Sequence, residues 1–146
     1  RPFDTSDVSF LSTNAEERTE MEAFKHSASG YLITGFMEEM GGHKFYPKLG
    51  IVNTKEEAAG YDLIIEGKFV QFDRGSRGAR YMGTGGWTNV TVAGTMTETA
   101  TGKVVAKFRD IKYGKSGSFG GDSMKLLQDN CEEIGKNMSD FFRDVY

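Results

Sequence analysis

Residues 87–113 read WTNVTVAGTMTETATGKVVAKFRDIKY, and the pattern within them decides the fold. Val90, Val92 and Met96 fall on one set of alternate positions, and Thr91, Thr95, Thr97 and Thr99 on the other. Successive side chains of an extended strand point to opposite faces, so this pattern predicts a strand with one buried and one polar face. Ala100-Thr101-Gly102-Lys103 supplies turn chemistry, and Lys103–Tyr113 returns as the partner strand of a β-hairpin.

Upstream, Tyr61–Asp73 predicts another strand, with Leu63, Ile65 and Phe69 on one face and Asp62, Glu66 and Lys68 on the other. Val70 and Phe72 break the alternation, which places a bulge at Gly67. Lys44–Val52 predicts a short edge or irregular strand interrupted by Pro47, followed by a polar connector, Asn53–Gly60, with room for one helical turn.

Helices flank this sheet. Thr13-Asn14-Ala15-Glu16 has capping-box spacing, and Met21, Phe24, Ala28, Leu32, Phe36 and Met40 then recur at three- or four-residue steps. The helix Thr13–Met40 ends at Gly41-Gly42, and Gly30 and Gly35 within it point to close packing against the sheet. A last helix, Ser123–Val145, carries Leu127, Cys131, Ile134, Met138, Phe141 and Val145 as its apolar stripe. The expected fold is therefore α+β: a two-layer single domain over residues 1–146, its largely antiparallel sheet covered on one face by two long helices.

Bulk composition bounds the function. The chain has 146 residues, 38% hydrophobic and 27% charged, with a net charge of −3, which suits one folded domain and disfavours a duplex nucleic-acid binder. Its 19 glycines, against two prolines, gather mostly between Gly75 and Gly121 and mark turns and loop tips. One cysteine and two histidines, His26 and His43, exclude a disulfide framework and give no metal-ligand spacing. No apolar run is long enough to span a bilayer.

Candidate chemical motifs fail on inspection. Thr101-Gly102-Lys103 lacks the phosphate-loop pattern, because Val104 stands where Ser or Thr is required and Thr97 where the first Gly is. Gly83-Thr84-Gly85-Gly86 leads into a strand and lacks the dinucleotide spacing, and no nucleophile elbow surrounds Ser76, Ser116 or Ser118. Neither a catalytic residue, nor a cofactor, nor a metal site is expected.

The most distinctive segment is Arg74-Gly75-Ser76-Arg77-Gly78-Ala79-Arg80-Tyr81. Three arginines at three-residue spacing among glycines suit a phosphate, a carboxylate-bearing glycan or an acidic partner. Tyr81, Trp87 and Phe119 would add stacking or anchor contacts. The alternative is a solvated hairpin tip. Arg74, Arg77, Arg80, Tyr81, Trp87 and Phe119 are the candidate binding residues.

In order along the chain, these motifs resemble a bacterial family of domains of unknown function, numbered forty-four-ten. The resemblance is carried by Gly60-Tyr61-Asp62-Leu63-Ile64-Ile65-Glu66-Gly67, Gly75-Ser76-Arg77-Gly78-Ala79-Arg80-Tyr81, Ala100-Thr101-Gly102-Lys103-Val104 and Gly117-Ser118-Phe119-Gly120-Gly121-Asp122. It implies a small envelope protein, often a lipoprotein, with a first strand, a long helix, a meander and a closing helix. Arg1-Pro2-Phe3 would be the tail of a first strand beginning upstream. The family has no activity to transfer.

The expectation from sequence is a non-enzymatic scaffold of the periplasm, associated with the outer membrane. Its partners would be envelope proteins or other copies of itself, not nucleic acid, and it would meet the membrane only through an upstream lipid anchor. The alternative is a binder of an anionic small molecule, glycan or lipid headgroup through the Arg77/Arg80 loop.

Overall fold

The computed structural model describes residues 1–10, 15–41, 46, 48–75, 87–115 and 122–145. In chain order the elements are β1 (Ser9–Phe10), α1 (Ala15–Met40), α2 (Lys55–Ala58), β2 (Leu63–Asp73), β3 (Trp87–Glu98), β4 (Val104–Lys115) and α3 (Ser123–Val145). The strands lie side by side in that order, with β1 parallel to β2 and the other pairs antiparallel. The two-layer α+β architecture is as expected. Phe69, Phe72, Val90, Val92 and Met96 from the sheet share one core with Phe24, Ala28, Leu32 and Phe36 of α1 and Leu127, Cys131, Ile134 and Phe142 of α3.

The β3–β4 hairpin follows the alternation read from its residues. Val90, Val92 and Met96 are buried under the helices, and Gly102 closes the turn with φ +69°, a conformation that costs glycine alone nothing. Gly102 N–H donates to the Glu98 carbonyl at 2.9 Å, and Glu98 N–H to the Lys103 carbonyl at 2.9 Å.

Four local expectations are corrected. The bulge in β2 lies at Val70, where the register with β3 slips between Phe69 and Gln71, so Phe69 and Phe72 both point inward. Gly67 instead pairs with Gly94, and a Cβ on it would stand 2.6 Å from Phe3 Cε1; the bare backbone makes room for the aromatic rings beneath. No strand forms among described residues 48–52, where the chain is irregular; Lys44 and Pro47 lie outside the described residues. The stripe of α3 runs on to Phe142, four residues after Met138, leaving Phe141 and Val145 exposed.

The fourth correction concerns α1. Gly35 meets α3, not the sheet. A Cβ there would lie 2.9 Å from Glu132 Cα, and one on Gly135 would lie 2.7 Å from Phe36 N. The two helices thus touch backbone to backbone at a pair of glycines, while Gly30 faces open space.

Residues 1–10 run beside β2. Asp4 N–H donates to the Gly67 carbonyl at 2.9 Å, Phe69 N–H to the Asp4 carbonyl at 2.8 Å, and Ser9 and Phe10 pair with Gln71 and Phe72. Phe3 N–H is taken by Ser29 Oγ at 2.8 Å, which ties this segment to α1. The paired segment thus extends well past Arg1–Phe3. Downstream, α2 occupies the connector as one capped turn, with Thr54 Oγ1 accepting from Glu57 N–H at 3.2 Å. The capping residues Thr13 and Asn14 lie outside the described residues.

Candidate docking surface

Arg74 immediately follows β2 and turns inward. Only 6% of it is exposed; its guanidinium forms an ion pair with Glu20 of α1, and its Nε donates to Ser123 Oγ at 2.7 Å. A buried guanidinium needs such partners. Arg74 therefore ties the start of α1 to the start of α3 instead of offering an exposed contact. Gly75, at φ +71°, turns the chain away, its N–H held by Asp73 Oδ1 at 2.8 Å. Arg77, Arg80, Tyr81 and Phe119 lie outside the described residues.

Trp87 opens β3 and is 48% exposed, with Lys115 Nζ 5.4 Å from its ring centroid. That separation suits a cation–π contact. Asp73, Trp87 and Lys115 all sit at the same end of the sheet, because Asp73 pairs with Asn89 and Trp87 with Lys115. The described residues flanking the arginine segment and the second glycine loop thus share that end.

Residue reading missed what lies beside Trp87. The side of the sheet away from the helices carries the alternate residues of β4, namely Lys107, Arg109, Ile111, Tyr113 and Lys115, all exposed. Tyr113, opposite Asn89, is 57% exposed, and Ile111, opposite Thr91, is 42% exposed. The period-2 pattern from Lys107 to Lys115 would have revealed this row, because alternate residues of a strand share a face.

A second surface is the edge of β4. Among the described residues no strand pairs with its outer side, and it is 12 residues long. On α3, Asn130 and Asn137 reach β4 through the Lys112 carbonyl and the Asp110 carboxylate, and Glu133 pairs with Lys112. Phe141 lies four residues beyond Asn137 and so continues that flank toward the edge. Phe141 and, four residues on, Val145 are exposed on α3.

Among the described residues no three His, Cys, Asp or Glu side chains converge. Cys131 is fully buried in the core, and burial pushes its thiol far above the ordinary value, with the neighbouring Glu132 charge adding to the effect. A cavity of about 800 Å³ opens between α1, the connector and the first residues of β2; Leu32, Phe36, Met40, Leu63, Met96 and Met138 line it. Its rim lysine, Lys48, is occupied by the Gly60 carbonyl at 2.9 Å and lies over the Tyr61 ring.

No known family profile matches the chain, and no curated protein sequence does. Solved structures do. A PelC dodecamer from Paraburkholderia phytofirmans superposes with a TM-score of 0.52 at 13% identity, covering 94% of this chain and 86% of that one. A single-substitution variant of it, also a dodecamer, gives a TM-score of 0.52 at 14% identity over 92% and 85%. The likeness is one of fold. No helix among the described residues is long and apolar enough to cross a membrane.

Proposed function

We propose that this chain is a non-enzymatic scaffold domain of the bacterial envelope, acting in the periplasm near the outer membrane and assembling with copies of itself. The observation that carries this reading is the β4 edge, 12 residues long and without a partner strand among the described residues, with Phe141 and Val145 exposed on the adjoining α3. Such an edge is a template for another chain, and proteins that leave one open usually blunt or cover it. The shared fold with PelC dodecamers supports self-association. The order of motifs that resembles the envelope family supports the compartment, with an upstream lipid as the anchor.

Light scattering on purified protein tests the reading. A mass several times 16.2 kDa is expected, falling to that of one chain in Phe141→Glu with Val145→Glu. A wild-type monomer at concentrations of ~100 μM, where even weak self-association registers, would overturn it. Arg77 and Arg80 are proposed to add contacts to envelope partners. If Arg77→Ala with Arg80→Ala left all co-purifying partners in place, that part would be discarded.

A further inference from the structure

The outer face of the sheet has a chemistry that the edge does not need. Its two carboxylates on β2 are occupied: Glu66 bonds Arg1 at 3.0 Å, and Asp73 holds Gly75 N–H at 2.8 Å and the Asn89 amide at 3.3 Å. Lys107, Arg109 and Lys115 have no carboxylate within ion-pair distance among the described residues. Three cations on one strand face, none in an ion pair among the described residues, attract an anion.

Their spacing narrows the class. Lys107 and Arg109 stand about 7 Å apart and Arg109 and Lys115 about 20 Å apart, at the usual rise per strand residue. The long interval holds Ile111 and Tyr113, and Trp87 flanks its end across the strand pair. A nucleic-acid strand, with a charge every ~3.4 Å, calls for denser cations and a basic domain, whereas this chain has a net charge of −3. An acidic peptide would use the cations but gain little from two exposed aromatic rings. Sparse anions separated by flat, partly apolar rings fit both features, with the rings lying on Trp87 and Tyr113.

We propose that the outer sheet face, centred on Trp87, Arg109 and Tyr113, binds an acidic polysaccharide. Its carboxylates sit over Lys107, Arg109 and Lys115, and its sugar rings lie on the two aromatics. This site is separate from the β4 edge and does not depend on self-association.

Trp87 is the only tryptophan, so its fluorescence reports the site directly. The protein is titrated with polygalacturonate, and in parallel with neutral dextran, poly-glutamate, a single-stranded oligonucleotide and anionic phospholipid vesicles, while scattering follows the mass. A saturable change with polygalacturonate is expected, at least about tenfold tighter than with any comparator. Lys107→Glu with Arg109→Glu, and separately Tyr113→Ala, should each weaken it by about tenfold or more without moving the unfolding midpoint. No Trp87 response, equal binding of poly-glutamate, oligonucleotide or vesicles, or unchanged affinity in those variants overturns the proposal. A monomer that still binds polygalacturonate would sink the scaffold reading alone.

Discussion

Replacing Gly135 by alanine should destabilise the fold, although the same exchange usually favours a helix. Alanine is about 1 kcal/mol better than glycine inside an α-helix. At Gly135 the new Cβ would stand 2.7 Å from Phe36 N and closer still to the Leu32 carbonyl. Ordinary contact begins near 3.4 Å, so to clear the Leu32 carbonyl α1 and α3 must part by more than roughly 1 Å, and backbone cannot swing aside as a side-chain tip can. Overpacking of this kind costs ~1–3 kcal/mol, with a rigid backbone neighbour at the upper end. Less the propensity gain, the net loss is about 2 kcal/mol, or a fall in melting temperature of roughly 5 °C for a chain of this size. Gly30→Ala is the matched control, since nothing lies within 4 Å of its added carbon, and it should gain up to about 1 kcal/mol. Urea unfolding followed by circular dichroism at 222 nm and by Trp87 emission reads both. Gly35→Ala with Gly135→Ala should cost less than the sum of the singles, because the first already separates the helices. If Gly135→Ala proved as stabilising as Gly30→Ala, the backbone contact between the helices would not exist.

Other positions give further tests. Arg74→Ala should cost about 2 kcal/mol in urea unfolding, below the full cost of stripping a buried ion pair because Glu20 is partly in water; a neutral result would mean that the arginine does not tie α1 to α3. Thr99 Oγ1 is the one buried side-chain oxygen among the described residues with no hydrogen-bond partner, so Thr99→Val should be neutral or stabilising by up to ~1 kcal/mol; a loss beyond that would reveal a hidden partner. The Cys131 thiol should stay inert to a disulfide exchange reagent at pH 8 and react fully in urea, since both burial and its raised pKa withhold the thiolate. The Asp4 carboxylate, held by Ser6 N–H and Ser6 Oγ, should titrate by NMR below its ordinary value of 3.8. A lowered folded value means that its contribution is present above that ordinary value and fades as pH falls through the folded one, so a normal midpoint would mean that Ser6 does not hold the carboxylate.

Much of the fold was legible because it is written in local periods. The stripe from Met21 to Met40 and the alternation of Val90, Val92 and Met96 each report which side faces the core. Features set by distant residues were not. Gly35 meets Glu132 across nearly a hundred residues of chain, and no spacing around Gly35 announces that neighbour. The broken alternation at Val70 and Phe72 points to a bulge at Gly67 before them, yet the slip itself lies at Val70, fixed by the need to bury both Phe69 and Phe72. The same holds for the candidate site. Trp87, an anchor candidate from its place near the arginine segment, is exposed, whereas the burial of Arg74 depends on Glu20 and Ser123, one far before it and one far after. The cationic row of β4 could have been read from its alternation and was passed over for the more conspicuous arginine segment.

The parallel seat of residues 1–10 bears on the order in which the chain assembles. Strands β2, β3 and β4 form a meander, so their pairings close over short stretches of sequence and can form early. The leading segment must find β2 across the whole of α1 and the connector, from Ser9 to Gln71, and long closures of this kind come late. Until it arrives, the inner edge of β2 is open and the ring of Phe3 has no pocket. Whatever reaches that groove first completes the sheet. In a crowded compartment the leading segment of a neighbouring copy competes for the same seat, so conditions of slow refolding at high concentration should trap exchanged dimers whose strands have changed places.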